Sequence, residues 1–516
     1  QGMVYVEPSE AEIRLPARTA QRQYLQTYFN AFESALYGSN WTDPVTGYRN
    51  YIDVPAWIDY HLINVLTFNV DALRLSAYLY KPRNGKITFG PQWDFDRALN
   101  STDGRDANPR IWCTPGSSQG AATDFFNDTT QAWWGRLFTD LEFYQQWIDR
   151  YQELRDSHFA TTNLYRLVDQ LTGEVRKAQP RERTKWGSLA PPRGSFNAEI
   201  SSLKSWLNSR VNFMDSQFVQ RPRLDATGGR FEGATNVTLT GPAGAILYYT
   251  LDGTDPRLPG GTVSPSARVA GVDPIVITAN TRLVARANRE AHTARTGTEN
   301  PPLVSKWSGI TAATFFNTLP PLRITEIQYH PEDPAVGSAW SNGDFEFVEL
   351  ANLSGSPLDL AGFSLAGGIR YTFSASSGVT SLAPGSRVLV VRNRTAFLER
   401  YPGVTGIAGE FTGALGNNGN RIRLLGPLQE VIQDLAYDPG WAPLTDGVGF
   451  SLVPSDESAD PATAGNASAW RQSARPGGSP GAVDGERATV APVYVSEALT
   501  HTDPPLLDSI ELFNPG

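Results

Sequence analysis

Three aspartates hold most of the chemistry that this sequence could perform. Asp71 follows an apolar run, whereas Asp94 and Asp96 lie on either side of Phe95, directly after Trp93. Carboxylates that converge beside apolar side chains repel one another unless a cation neutralises them, so a divalent metal is the expected partner. Phosphoryl transfer requires such an arrangement, in which metal ions bind the phosphates and a carboxylate receives the proton of the acceptor.

A predicted β-hairpin would bring these aspartates together, although Asp71 and Asp94 are 23 residues apart in the chain (94 − 71). Residues 75–80 and 86–90 have the composition of strands, and Asn84-Gly85 between them is typical of a tight hairpin turn. We therefore expect the two ends of this hairpin to place the aspartates on one site.

The same segment resembles the spore-coat-protein-H (CotH) kinase family, a group of secreted, atypical protein kinases. The Asn-x-Asp element of that family matches Asn69-Val70-Asp71, and its Trp-Asp-x-Asp element matches residues 93–96. Its Tyr-rich hairpin matches residues 74–80. The resemblance covers about the first 220 residues, and its later segments are residues 133–137, 150–155 and 203–207 with Arg210.

The resemblance implies ATP and Mg as cofactors and assigns roles to seven residues. Asp71 would be the catalytic-loop acid, and Arg74 would offset the charge that develops on the phosphate. Asp94 would be the leading metal ligand, with Asp96 beside it. The other cofactor-binding residues would be Asn69, Gln92 and Trp93.

Other functions fit parts of the same pattern. An Asp-x-Asp pair is common on solvated strand ends, and Asp71 could cap a helix or a turn. A second hypothesis is therefore a non-catalytic cell-surface adhesion or carbohydrate-associated scaffold, in which the acidic cluster is structural or binds calcium. A third is a glycosidase with Asp71 and Asp94 as its acid pair, which depends on the distance between the two carboxylates.

Length and composition indicate a multidomain folded protein. Its 516 residues exceed the roughly 250 to 300 that a single core sustains. The net charge of −9 argues against a nucleic-acid partner, and no apolar run approaches the ~18 residues of a membrane span. A single cysteine, Cys113, excludes an intrachain disulfide and a multi-Cys zinc site, and the five histidines show no metal-ligand spacing.

Residues 1–221 are predicted to form a mainly α (α+β) atypical kinase-like C-lobe. Predicted helices span residues 21–36, 133–155, 165–177 and 195–220, with an interruption at Pro180. Another spans residues 54–66, with Asp53 as its N-cap and Pro55 in its first turn. No amino-terminal lobe with a Lys–Glu pair precedes residue 51, and the chain begins with neither a signal peptide nor an initiator methionine. We therefore expect a fragment with half of the nucleotide site and weak or no turnover.

Two all-β Ig-like sandwiches and a truncated β stub are predicted after residue 221. Residues 222–318 resemble the chitobiase C-terminal-type module, in which residues 252–256 (Asp-Gly-Thr-Asp-Pro) form an Asx-turn or, alternatively, bind calcium. Residues 319–485 resemble the lamin-tail domain, with a Pro/Gly-rich stretch at 475–481 interpreted as linker. Residues 486–516 are predicted to comprise linker and the start of a second, truncated lamin-tail repeat, poorly ordered or packed against a neighbour.

These patterns together predict an exported bacterial protein that acts outside the cell or at its surface. Its kinase-like domain would transfer phosphate from ATP to Ser or Thr of a protein substrate, with a cell-surface glycan or protein as the alternative partner. Neither a nucleic acid nor a transmembrane segment is predicted, and the sequence indicates no particular oligomer.

Overall fold

A computed structural model describes most of the chain. The described residues are 3–73, 75–83, 85–101, 104–118, 120–127, 132–187, 193–486, 493–500, 502 and 507–515. They form two compact units. The first comprises Gln1–Thr227, Thr235–Ile277 and Leu283–Ala313, and the second comprises Gly228–Ala234, Thr278–Arg282 and Thr314–Gly516.

The amino-terminal part of the first unit is helical, as predicted. Its helices are α1 (Glu10–Ile13), α2 (Thr19–Tyr37), α3 (Val54–Thr67), α4 (Ala132–Leu137), α5 (Leu141–Arg155), α6 (Thr161–Val175), α7 (Gln179–Lys185) and α8 (Phe196–Ser216). A short hairpin of β1 (Leu79–Tyr80) and β2 (Thr88–Phe89) lies between α3 and α4. The predicted cap of α3 is confirmed, because the Asp53 side chain accepts a hydrogen bond from the Ala56 N–H.

Three helix predictions need correction. The predicted helix 133–155 is two helices, because Asp140 caps α5 by accepting from the Glu142 N–H. The predicted interruption near Pro180 is present, because α6 ends at Val175. Helix α7 was not predicted, and Pro180 lies in its first turn, where its missing N–H is not needed. The last helix, α8, is capped by Ser195 and ends at Ser216 rather than at residue 220.

Aromatic side chains form the core of the helical region. Trp57 of α3, Trp134 of α4 and Trp147 of α5 are each no more than 1% exposed and contact one another through intervening rings. His61 of α3 joins them, since its Nδ1 accepts from Trp147 Nε1 at 3.0 Å and its Nε2 lies 2.9 Å from the Phe125 carbonyl. Burial lowers the pKa of His61 to about 3, so this ring is a neutral structural bridge between α3 and α5.

A β-module follows the helices, and most of its residues belong to the first unit. Strands in this region are β3 (Arg223–Leu224), β4 (Gly229–Arg230), β5 (Thr235–Val237), β6 (Leu239–Thr240), β7 (Ile246–Thr250), β8 (Arg268–Val269), β9 (Ile275–Ile277), β10 (Thr281–Asn288) and β11 (Thr311–Phe316). Within the first unit β7 pairs with β8 and β10, β5 with β9, and β3 with β6, all antiparallel. The Asx-turn is present, because Asp252 Oδ1 accepts from the Thr254 N–H at 3.0 Å.

Helix α5 and this β-module are joined by buried ion pairs. The guanidinium of Arg286 on β10 is 2% exposed and donates to both oxygens of Asp149 on α5 and both oxygens of Asp255. Arg257 forms a second bidentate pair with Glu142 of α5, with both distances 2.8 Å. Asp255 is therefore part of an ion-pair network rather than an open calcium ligand.

The second unit contains two facing β-sheets. Its main elements are β12 (Leu322–Gln328), β13 (Phe347–Asn352), β14 (Leu358–Asp359), β15 (Ser364–Gly367), β16 (Ile369–Thr372), β17 (Ser381–Leu382), β18 (Arg387–Val391), α9 (Arg394–Arg400), β19 (Ile407–Glu410), β20 (Thr412–Gly413), β21 (Asn420–Leu425), β22 (Val431–Tyr437), β23 (Leu452–Pro454) and β24 (Trp470–Gln472). One sheet has the order β19-β18-β13-β12-β23-β24 and the other β20-β16-β15-β21-β22. Apolar side chains of both sheets share one core, as a sandwich requires.

Residues 475–481 are not a linker but are bound to the sandwich. Glu326 of β12, 1% exposed, accepts from the Ser479 N–H at 2.9 Å, and Glu349 of β13 accepts from the Gly481 N–H at 2.6 Å. Gly478 has φ +71° and lies where a Cβ would overlap the Glu326 carboxylate, so glycine is required there. The Pro/Gly composition of residues 475–481 therefore reflects their close packing onto the buried side chains of Glu326 and Glu349.

Burial of Glu326 predicts that the second unit loses stability as the pH rises. Burial raises the pKa of Glu326 from 4.5 to about 8, and the nearby carboxylates of Glu349 and Asp484 act in the same direction. The folded protein thus keeps a proton that the unfolded chain releases, so the free energy of unfolding falls between about pH 4.5 and 8. We expect urea denaturation of Glu326→Gln to show a shallower pH dependence over this range than wild type. The exposed Glu332→Gln is the control, and equal slopes for all three proteins would contradict the prediction.

The last strands repeat the β12–β13 pair in register. β25 (Tyr494–Leu499) and β26 (Ser509–Phe513) are antiparallel, with a bulge between Val495 and Glu497. The β12–β13 pair has a bulge between Ile324 and Glu326. In each pair a hydroxyl at the bulge binds a glutamate on the partner strand at 2.8 Å, from Thr325 to Glu349 and from Ser496 to Glu511.

Candidate active site

The Asn-x-Asp segment follows directly from the end of α3. Phe68 ends the helix in the left-handed conformation (φ 51°), with its N–H bonded to the Asn64 and Val65 carbonyls. Arg210 of α8, fully buried, donates from Nε and Nη2 to the same Val65 carbonyl at 3.1 and 2.6 Å. Its guanidinium lies over the Phe68 ring, and burial lowers its pKa to about 9. Arg210 thus fixes the point from which Asn69-Val70-Asp71 begins.

The hairpin brings Asp94 back to this segment, as the sequence predicts. Leu79 pairs with Phe89 and Tyr80 with Thr88, so the chain reverses direction before Trp93. Beyond it, the Asp94 carbonyl accepts from Asn69 Nδ2 at 3.2 Å. The Asp94 carboxylate accepts from Ser76 Oγ at 2.6 Å, and the side chain remains exposed.

Asp71 has guanidinium partners. Its Oδ1 lies 3.1 Å from Nη2 of Arg105, whose side chain is 1% exposed, and its Oδ2 lies 3.6 Å from Nη1 of Arg97. Arg105 is itself held by the Ala121 carbonyl at 2.8 Å. The sequence pattern predicts three carboxylates around one cation. In the structure, the Asp71 carboxylate instead contacts the guanidinium groups of Arg105 and Arg97.

The other predicted site residues lie on the surface beside Asp94. Asp96, Gln92 and Trp93 are exposed, and the Trp93 ring contacts Tyr78 edge to face at 6.3 Å. The Asp96 carbonyl accepts from Ser101 Oγ at 2.6 Å. Arg74 lies outside the described residues, so its role stays a prediction.

Metal binding here would use oxygen donors of mixed type. Across the described ranges, no three His, Cys, Asp or Glu side chains are placed to hold one metal ion. Magnesium does not require such a group, because it keeps several waters and takes one or two protein carboxylates together with substrate phosphates. Asn69 adds a further hard donor, since its buried Oδ1 has no hydrogen-bond partner in the described structure. The donor atoms of Asp94, Asp96 and Asn69 are thus of the chemical type that magnesium takes, and their binding of magnesium on a nucleotide stays a prediction.

The backbone around the site is strained. Positive φ in a non-glycine residue is uncommon and costs roughly 1 to 3 kcal/mol where the surroundings enforce it. Six such residues fall within positions 68–100, namely Phe68, Leu73, Ser76, Asp94, Leu99 and Asn100. The rest of the described chain has two. Backbone strain of this kind is often concentrated at functional sites, and here it lies in the segment that carries the predicted site residues.

Sequence reasoning missed the residues that hold the site together. Asn64 and Arg105 belong to no motif. Ser76 and Arg210 lie in segments that carry the family resemblance, but the resemblance does not indicate their contacts. Arg105 is 34 positions from the carboxylate it binds, and Arg210 is 145 positions from Val65. The available signal for Arg210 was its position at helical spacing from apolar residues of α8, namely Trp206, Leu207, Phe213 and Met214.

Fold and site together define an α+β domain with an acidic hairpin, followed by β-sandwich modules. Residues 7–214 match the family model described as CotH kinase protein, and residues 317–438 match the model described as Lamin Tail Domain. The chain therefore contains a CotH kinase domain and a lamin tail domain, as the sequence motifs predicted. The chitobiase-type resemblance and the domain boundaries stay predictions.

Other comparisons add little to these two matches. No curated protein matches the chain. A crystal structure of a DUF4876 family protein from Bacteroides thetaiotaomicron is similar over 42% of this chain and 85% of that one, with 10% identity and a TM-score of 0.21. In the described part of the chain, no helix is long and apolar enough to cross a membrane.

Proposed function

We propose that the CotH kinase domain transfers phosphate from MgATP to a hydroxyl of a protein Ser or Thr, outside the bacterial cell or at its surface. The observation that carries the proposal is the return of Asp94 onto Asn69. The Asn69 amide nitrogen donates to the main-chain carbonyl of Asp94, whose carboxylate is exposed, and the Asn69 amide oxygen has no partner among the described residues. The family match supports a kinase-like activity with a protein substrate.

Each residue near the site has a task in this proposal. Asp94, Asp96 and Asn69 would hold magnesium, which neutralises charge on the phosphates when bound. Asp71 would accept the proton of the attacking hydroxyl, with Arg105 fixing the orientation of its carboxylate. The exposed Trp93 and Gln92 would contact the nucleotide, and Arg74 would offset developing phosphate charge.

Calorimetry with MgATP tests the proposal directly. We expect Asp94→Asn to weaken Mg-dependent ATP binding about tenfold or more, because an amide keeps the shape of the side chain but removes the charge that attracts the ion. ATP binding without magnesium should change little.

The control is Asp333→Asn, which alters an exposed aspartate in the second unit. Equal MgATP affinity in wild type and Asp94→Asn, or no binding by either, would contradict the kinase proposal. Glycan or calcium binding with indifference to ATP would favour a scaffold role instead.

A further inference from the structure

Asn64 is a buried polar residue inside an apolar helix. It is 1% exposed, and its neighbours in α3 include the buried Tyr60, Leu62, Val65 and Leu66. Asparagine is a poor residue for a helix interior because its side chain competes for backbone hydrogen bonds. Burying its amide is costly unless every polar atom finds a partner, so its presence at this position calls for a specific role.

The hydrogen bonds of Asn64 fix the orientation of its own amide. Nδ2 donates to the Tyr60 carbonyl at 2.8 Å, and a backbone carbonyl can only accept. The amide oxygen must therefore face the other way, where it accepts from Asn69 Nδ2 at 3.1 Å. The exposed Gln92 lies at the edge of this contact, 3.5 Å from Asn64 Nδ2.

Asn69 is oriented in turn by two acceptors. Its Nδ2 faces Asn64 Oδ1 and the Asp94 carbonyl, the latter at 3.2 Å, and neither group can donate to it in this arrangement. The Asn69 amide cannot flip without placing oxygen against oxygen at both contacts. Its Oδ1 is left buried and without a partner among the described residues.

Leaving a buried carbonyl oxygen without a hydrogen bond is energetically costly. In native structures such a group has a specific explanation, such as backbone strain, a catalytic role, an ordered water or a bound ion. Here it belongs to a residue bonded to the backbone of Asp94, whose carboxylate is exposed. An amide oxygen is a hard ligand of the kind that divalent cations take.

We propose that Asn64 is a positioning residue that fixes the orientation of the Asn69 amide. In this orientation the unpartnered Oδ1 of Asn69 is the oxygen that binds a divalent cation. This inference rests on the proposed function, since it concerns the cation of the same site. It assigns metal affinity to a buried residue that makes no contact with the ion itself. Residues that orient ligands in this way typically contribute about 10- to 100-fold in metal affinity.

Electron paramagnetic resonance of free Mn²⁺ measures the cation affinity without requiring turnover. We expect Asn64→Leu to weaken Mn²⁺ binding about 10- to 100-fold, because leucine cannot accept from Asn69 Nδ2. Asn64→Asp keeps an acceptor for that amide and should lose less affinity than Asn64→Leu, although its carboxylate cannot donate to the Tyr60 carbonyl. Thr67→Val is the matched control, because the Thr67 hydroxyl also bonds a carbonyl four residues earlier in α3 but does not contact Asn69.

The outcomes separate the two proposals. If Asn64→Leu binds Mn²⁺ as wild type does whereas Asn69→Ala and Asp94→Asn bind it poorly, the role of Asn64 is refuted and the kinase site stands. If Asn69→Ala and Asp94→Asn also bind Mn²⁺ as wild type does, or if wild type binds no Mn²⁺, both the role of Asn64 and the proposed function are refuted. Should Asn64→Leu not fold, Asn64→Gln displaces the acceptor by one methylene, and unchanged affinity in that variant overturns the inference.

Discussion

Replacing Arg286 with methionine is expected to lower the free energy of unfolding of the first unit by about 3 to 5 kcal/mol. The guanidinium is 2% exposed and donates to four carboxylate oxygens, two from Asp149 and two from Asp255, at 2.6 to 2.7 Å. Methionine keeps much of the volume but leaves two partly buried carboxylates facing each other without a cation. The free energy of desolvating these carboxylates is then no longer offset by the guanidinium. This uncompensated cost exceeds the net stabilisation that the ion pair itself provides.

Denaturant unfolding followed by far-ultraviolet circular dichroism measures this change. Arg289→Met is the matched control, because Arg289 is exposed on the segment that follows the same strand. Since Arg286 joins the β-module to α5, the helical and β parts of the unit should unfold in one transition in wild type. An Arg286→Met protein with the midpoint of the control would show that these ion pairs do not stabilise the unit.

Features set by neighbouring residues were predictable from sequence, and those set by distant contacts were not. The cap of α3 at Asp53 and the hairpin that returns to Asp94 depend on residues only a few positions apart, and both predictions are confirmed. The break at Asp140 was missed because apolar residues on both sides continue a helical pattern through it. The segment 475–481 was misinterpreted because its composition is that of a linker, whereas its conformation depends on Glu326 and Glu349, more than 100 positions away.

The same distinction applies to the candidate site. Motifs identified the residues that would contact the nucleotide. They did not identify the guanidinium groups of Arg97 and Arg105 that contact Asp71. Arg105 was missed, and with it the ion pair that it forms with Asp71. Asn64 was missed because its role depends on amide orientation, which no sequence pattern encodes.

Asp71→Asn is expected to reduce phosphoryl transfer to a Ser- or Thr-containing acceptor by about 10²- to 10⁴-fold. The amide has nearly the same shape as the carboxylate but cannot accept the hydroxyl proton. Binding of MgATP should remain within about threefold of wild type, because Asp94, Asp96 and Asn69 are unchanged. Transfer of labelled phosphate to an acceptor peptide, or to the chain itself, measures the phosphoryl-transfer rate. Calorimetry measures the MgATP affinity.

The substitution also removes the charged partner of Arg105, so the loss of the ion pair needs its own control. Arg105→Met breaks the same pair from the other side but keeps the carboxylate. If Asp71 acts as the proton acceptor, Arg105→Met loses far less transfer activity than Asp71→Asn, although both lose stability because each removes one side of a partly buried ion pair. Equal losses in the two variants would mean that the pair serves only to hold the segment after α3 in place, and wild-type transfer by Asp71→Asn would exclude Asp71 as the base.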